Sequence, residues 1–565
     1  MKNSLVNIFI GVLLVVVIIT SCKKSVDGSI TDASTRRSFT PTNLSVNVTT
    51  DSVKFTWTAP LFSINNMTYK VDIATDSLFT DIVYSVNSDT INAYATDSVL
   101  LLNTPYYSRV SVNPYTILAA SHYLVATNGL NIPKTFKLLG LQYLKVIRDN
   151  EITTNAVLLH WYLNNGTKNV TNLVITPSDG SSPINIPVTG DEVINGTKNI
   201  TGLEPGKKYL LQLFAGKRSM GFTNVSTPKT ATYTTILTAG VDSLADAIAA
   251  AADGDVIGLN PGTYSLVSTT PILQKTITIR SVSNNPVDTK ILSREFDLVG
   301  TGAGINLIGV DINGNYSGSS LGLAFMQFFG SQATTSVPAT FTNVKIDNCI
   351  IHDYARCIIR ANYGTNANDF KINNISINNS QLYNIDQINA QGYYMFVLDK
   401  VQFNALSITK STLNGLGSGL ISMSTQLAVP TTNPYINIDY CTLNNIGGSN
   451  KYLLLDAKAN LLNYNLSNCI FANTPISGSL NTVAFRSTGL GNVMTFANND
   501  CFKFSSTIGG FDLVLSGLLQ SNNINADLGW QPTTTNFGLS NLSTSSPVIT
   551  ASSNKGIIGD PRWAY

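Results

Sequence analysis

The chain has 565 residues, 43% of them hydrophobic and only 12% charged, with a formal net charge of +2. This length asks for two to four domains rather than one core, and the ordinary apolar content excludes a largely disordered chain. The small charge balance, with no basic run beyond the first few dozen residues, excludes a nucleic-acid footprint. Three scattered histidines (His122, His160, His352) and six cysteines without a Cys-x-x-Cys leave no zinc pattern, so no metal site is expected.

At the N-terminus Lys2 precedes an apolar run, Leu5 to Ile19, which ends in Ile19-Thr20-Ser21-Cys22. A charged start and a short apolar stretch define a signal peptide over 1–22; the run is shorter than the ~20 residues that span a bilayer. The ending resembles the lipobox of bacterial lipoproteins. That resemblance implies a lipidated Cys22 carrying palmitate-type chains, and hence membrane attachment through an anchor. Lys23 rather than Asp follows the cysteine, so the expected location is the cell envelope, at the outer membrane. Residues 23–40 are polar and read as a flexible tether.

Residues 41–134 and 135–235 carry one plan twice. Val53, Phe55 and Trp57 alternate in the first, and Val157, Leu159 and Trp161 in the second. Trp57 and Trp161 are 104 residues apart, and Tyr106 and Tyr209 are 103 apart, so two copies of one domain are predicted. The stretch LEPGKKYLLQLFAG (203–216) resembles the fibronectin type III pattern; LLLNTPYYSRVSV (100–112) matches it without the glycine. Two fibronectin type III-like β-sandwiches are therefore expected, with the tryptophans in their cores.

A different pattern runs over 237–565. An Ala-rich helix over 243–252, capped by Asp242 or Ser243, precedes Gly254-Asp255, Val256-Ile257 and Asn260-Pro-Gly-Thr-Tyr264. This order resembles the start of pectate-lyase-like right-handed parallel β-helices, where the helix covers the open first rung. Six segments then align without gaps: VKIDNC (344–349), ISINNS (375–380), LSITKS (406–411), INIDYC (436–441), YNLSNC (464–469) and MTFANN (494–499). Their ends step by 28 to 31 residues, one β-helix rung each. Val344, Ile375, Leu406, Ile436, Tyr464 and Met494 should stack inward, as should Ile346, Ile377, Ile408, Ile438, Leu466 and Phe496. Asn348, Asn379, Asn468 and Asn498 should form one asparagine ladder at a bend, where asparagine tolerates left-handed φ; Asp353, Asn384, Asn445 and Asn473 should form a second. Cys349, Cys441 and Cys469 share a column with Ser380 and Ser411, which suits buried thiols; Cys441 and Cys469 fall on adjacent rungs, and a disulfide there stays an alternative. The closing GDPRW (559–563) resembles the ends of envelope lipoproteins with β-helix domains, and Trp563 is expected to plug the last rung.

After each rung comes a second strand: FMQFFG (325–330), CIIRAN (357–362), MFVLDK (395–400), LISMST (420–425), YLLLDAKA (452–459) and VAFRST (483–488). Gln327, Arg360, Asp399, Ser422 or Ser424, Asp456 and Arg486 should stack on one outer face, with Lys400 and Lys458 beside them. Acid and base recurring on one face of so uncharged a chain suit either surface ion pairs, Arg360–Asp399 and Asp456–Arg486, or a groove for an extended polysaccharide. In the groove reading Asp399, Asp456, Gln327, Tyr363, Tyr393 and Tyr394 would bind sugar.

The β-helix resemblance further implies β-elimination on a uronate polymer. Lys400 or Lys458 would then be the base, and Arg360 or Arg486 would neutralise the substrate carboxylate. No carboxylate pair on neighbouring rungs is evident, so calcium-dependent chemistry lacks its ligands and no cofactor is expected. The expectation is an envelope lipoprotein that binds polysaccharide along its β-helix, partnered with outer-membrane glycan-uptake proteins. A polysaccharide lyase and a structural or adhesive surface protein are the alternatives.

Overall fold

The computed structural model describes residues 36–565, apart from 50, 64–65, 117, 129–131, 141, 165–166, 367–368, 387–391, 418, 426, 428–432, 448–451, 476–482, 502–517, 541 and 544–545. The signal peptide, Cys22 and most of the tether lie outside the described residues. By its contacts the chain divides into two compact units; the second comprises 142–168, 174–211 and 223–565.

Period-two alternation sends Val53, Phe55 and Trp57 into a core where each is at most 3% exposed. Their strand, Ser52–Thr58, lies between Thr42–Val48 and Asn92–Thr96 in a three-stranded sheet. The facing sheet runs Ile82–Ser88, Tyr69–Ala74, Tyr107–Val112, Leu124–Val125. The second copy repeats that order with Ile184–Pro187, Asn172–Pro177, Lys208–Ala215 and Arg218–Ser226, while Ala156–His160 pairs antiparallel with Thr197–Thr201. Both copies carry the same corner: the Tyr106 hydroxyl accepts from the Leu101 N–H at 2.9 Å, and the Tyr209 hydroxyl from the Glu204 N–H at 2.8 Å. A tyrosine five residues beyond the N–H it accepts from is the tyrosine corner of such sandwiches. These are fibronectin type III-like domains, and Trp57 and Trp161 are core residues in both.

The parallel ladder starts at Thr235–Leu237, which pairs with Val256–Leu259. The intervening helix, Leu244–Ala250, is capped by the Ser243 side chain, which accepts from the Asp246 N–H at 3.2 Å. At its other end the Lys275 ammonium donates to the Ile248 and Ala249 carbonyls at 2.8 and 3.0 Å. Leu244 and Ile248 are buried in the same core as the first rungs, so the helix closes the open end of the bore.

From there eleven strands form one parallel sheet, the first face of a solenoid. Its register matches the columns read from the sequence: Val344–Ile375–Leu406–Ile436–Tyr464–Met494 are strand partners in turn. Even the looser early rungs fall in line, Ile277 on Ile305 and Ile305 on Val344. Each fully buried Ile or Leu in these columns contributes ~1.5–3 kcal/mol by removal from water. The second and third faces form one fourteen-stranded sheet, joined through the long strand Thr289–Val299.

Both asparagine ladders hold left-handed φ, between 46° and 62°, at Asn348, Asn379, Asn468, Asn498, Asp353, Asn384, Asn445 and Asn473. Asn379 donates to the Asn348 side chain at 3.2 Å, and Asn384 to that of Asp353. The Cys/Ser column has a backbone purpose. Ser380 Oγ accepts the Cys349 N–H at 3.1 Å, Ser411 Oγ the Ser380 N–H at 3.0 Å, and Cys469 Sγ the Cys441 N–H at 3.4 Å. A small side chain with an acceptor atom thus satisfies a buried N–H at the bend of the preceding rung. Cys349, Cys357, Cys441, Cys469 and Cys501 are free thiols; burial pushes those of Cys349 and Cys357 up to about 12.

The tail corrects one expectation. Trp563 does not plug the last rung. It lies beside the middle of the second face, where its Nε1 donates to Thr412 Oγ1 at 2.7 Å. The preceding Asp560 is buried, accepts from the Thr412 hydroxyl at 2.6 Å and donates its N–H to Thr442 Oγ1 at 3.0 Å. Arg562 bonds the Asn379 carbonyl at 2.6 Å. The outward-turned hydroxyls of Thr412 and Thr442 supply these partners, and the tail runs back to cover them.

Candidate functional site

The third face is built from strands Ala324–Phe329, Cys357–Arg360, Phe396–Val397, Ile421–Ser422, Tyr452–Lys458 and Val483–Ser487, following the second half of Thr289–Val299. Alternation along Thr289–Val299 turns Phe296 and Leu298 inward and Glu295 and Asp297 outward. Strand pairing then defines a column: Asp297, Gln327, Arg360, Val397, Ser422, Asp456, Arg486. Asp399 was expected in this column and is not. Val397 takes its place, because the strand Phe396–Val397 ends there and Asp399 lies in the turn that follows.

Asp399 instead organises the following turn. It accepts from Ser422 Oγ at 2.9 Å, Ser424 Oγ at 2.8 Å and the Thr425 N–H at 3.0 Å. Lys400, with φ of 69°, donates to the Gly364 carbonyl at 2.8 Å. Lys458 is exposed, with φ of 46°. Neither lysine thus combines burial with a free hydrogen-bonding position. The two expected ion pairs also separate. Asp456 is bound by Arg486 in a fork, at 2.6 and 2.7 Å, with the guanidinium 4.5 Å from the Tyr452 ring. Arg360 has no carboxylate partner among the described residues.

Arg360 lies instead among aromatic rings. Its guanidinium carbon is 4.6 Å from the Tyr363 ring centre and 5.3 Å from that of Tyr393. Its Nε donates to Asn362 at 3.3 Å. A guanidinium held by its faces keeps N–H groups at its edge for a planar anion. Tyr363 donates its hydroxyl to Gln327 Oε1 at 2.8 Å and packs on Phe329, with ring centres 4.8 Å apart. Tyr394 sits farther along; burial raises its phenol, and Asp456 adds to the rise. A Cβ on Gly419 would lie 2.3 Å from the Tyr394 ring, so only glycine fits under it.

One acidic pair was not foreseen. Glu295 is buried and Asp297 half-buried, on the rung next to Gln327. Burial, followed by the charge of Glu295, pushes the Asp297 carboxyl up to about 8. Burial also raises Glu295, although a hydrogen bond with Gln327 opposes it. Asp297 Oδ1 is shielded from solvent without a conventional donor, as expected if the two carboxyls share one proton. The sequence carried a signal: FDLVG (296–300) lies over MQFFG (326–330) as an earlier copy of the same strand.

On the second face His352, isolated in the sequence, lies between Asp353 at 2.7 Å and Asp311 at 3.0 Å and stacks on Tyr383. Burial would lower its imidazole, but Asp311 and Asp353 outweigh that and raise it. Among the described residues no three His, Cys, Asp or Glu side chains converge as a metal site would require.

A family model for a domain of unknown function, DUF4957, matches residues 262–415, less than half the chain. No curated protein matches. Among solved structures, a mutant of the PL6 family alginate lyase AlyGC is 16% identical with a TM-score of 0.34; the overlap covers 64% of this chain and 46% of the lyase. Chicken CNTN1 domains FN1–FN3 are 12% identical over 34% of this chain and 68% of theirs, TM-score 0.15. A two-domain fibronectin type III segment of chicken tenascin is 15% identical over 33% and 99%, TM-score 0.15. These overlaps are loose, and the assignment of a parallel β-solenoid with fibronectin type III-like domains rests on the chain's own strand ladders.

Proposed function

We propose that this chain binds an acidic polysaccharide along the third face of its solenoid, as an envelope lipoprotein anchored through Cys22 at the outer membrane and serving glycan acquisition. The observation that carries the binding reading is Arg360: a guanidinium flanked by Tyr363 and Tyr393, beside Gln327 and without a carboxylate partner among the described residues. The tyrosine rings hold the guanidinium, and its open edge suits the carboxylate of an acidic sugar. Rungs repeat every ~4.8 Å, so an extended polymer lying along the axis meets a new polar side chain at each step. The mostly neutral column between Arg360 and the closed Asp456–Arg486 pair fits binding better than cleavage.

Arg360→Ala is expected to weaken retention of the protein in polygalacturonate or alginate affinity gels at least tenfold while leaving its thermal midpoint within about 1 °C. Retention equal to the parent would remove this reading. The anchor is tested apart from it. Cys22→Ser should abolish incorporation of labelled palmitate and release the protein from the membrane fraction; undiminished labelling would place the lipid elsewhere.

A further inference from the structure

The first face carries a second concave feature that the polysaccharide reading does not use. A cavity of about 760 Å³ lies within the second compact unit. Its floor is one outward column over four rungs, Arg280–Ile308–Asp347–Asn378. At ~4.8 Å per rung this floor is roughly 14 Å long. Segments 146–152 and 223–229 of the second sandwich contribute the opposite wall.

The charges lining this cavity do not cancel. Lys345 pairs with Asp347 at 3.3 Å, and Lys410 reaches Asp149 at 3.9 Å. Asp347 also accepts from Asn378 at 2.9 Å. That uses both lining carboxylates. Arg280 and Lys229 also line the cavity, and neither has a carboxylate partner among the described residues. Arg280 Nε is shielded from solvent with no acceptor. The rest of the side chain is partly exposed, with its guanidinium carbon 5.9 Å from the Tyr233 ring centre, so two of the four lining cations are left for an anion in the cavity. The volume lies in the range of organic-ligand pockets, well above what an inorganic anion fills. Beside the cations stand the amides of Asn348 and Asn379 and the apolar Ile147 and Ile152. Amides meet hydroxyls, and aliphatic side chains meet the C–H face of a sugar ring.

We propose that this cavity binds an anionic saccharide unit, with Arg280 and Lys229 holding its carboxylate or sulfate. The site lies on a different face from Arg360 and stands or falls without it. The test uses the full chain carrying Arg360→Ala, so that the third face is already disabled, titrated calorimetrically with tri-galacturonate. One binding event is expected, weakened at least tenfold by adding Arg280→Ala or, separately, Lys229→Ala, with the neutral trisaccharide maltotriose giving no heat. Lys229→Ala removes a side chain with no ion pair among the described residues, so it keeps the test valid if Arg280→Ala fails to fold. Absence of binding in the Arg360→Ala protein, or equal binding by the Lys229→Ala variant, would overturn the proposal. Sulfate alone binding as tightly as the trisaccharide would overturn its saccharide part.

Discussion

Arg486→Ala is expected to destabilise the solenoid by about 3 kcal/mol, the lower end of the cost of stranding one member of a buried ion pair. Asp456 has a side chain only 8% exposed, and the fork from Arg486 supplies its two short hydrogen bonds, at 2.6 and 2.7 Å. Without the guanidinium, the Asp456 carboxylate loses both of these bonds while staying largely shielded from water. The double variant Asp456→Leu with Arg486→Met should recover most of the loss, because it removes both charges and keeps volume. Urea unfolding followed by far-ultraviolet circular dichroism measures both. A loss below about 0.5 kcal/mol for the single variant would mean that water screens the pair as it does on an open surface. The contrast with Arg360 is physical: removing Arg360 strands no carboxylate, so binding should fall and stability should not.

The second large effect is on pH dependence. The Asp297 carboxyl is pushed up to about 8 in the folded chain by burial beside Glu295, whereas an unfolded aspartate titrates near ~3.9. A raised folded value means that the native state holds a proton the unfolded state gives up. Its stabilising contribution is fully present below the unfolded value and is lost as pH rises toward and through about 8. The parent protein should therefore lose thermal midpoint from about pH 4 to about pH 8 and level off above that. Asp297→Asn should flatten that decline, since an amide donates to Glu295 without a proton to lose. Thermal melts of both proteins at pH 5, 7 and 9 check this. Parallel curves would show that the two carboxyls ionise independently.

Glu295 and Asp297 also show where reading the chain stops. Their strand lies one thirty-residue step before MQFFG, so counting gives the Asp297–Gln327 pairing but not that the two carboxyls are shielded from solvent side by side. A longer rung misplaced Asp399: Gln327 and Arg360 are 33 residues apart but Arg360 and Val397 are 37, which puts Val397 beside Arg360 and Asp399 in the turn beyond. His352 looked solitary because its partner Asp311 is 41 residues away in the chain.

The sequence alone determined the twin sandwiches, the capping helix, the first-face columns and both asparagine ladders. Each follows from local rules: alternation selects the buried side of a strand, a constant rung length stacks like on like, and asparagine tolerates the left-handed bend. Tertiary structure alone decided which third-face charges pair, that Arg360 stays unpaired among tyrosines, where the tail docks, and that Arg280 faces a cavity. Those outcomes depend on bends and insertions whose lengths vary from rung to rung. A shift of one residue exchanges a partner for a neighbour, and no local preference along the chain records that choice.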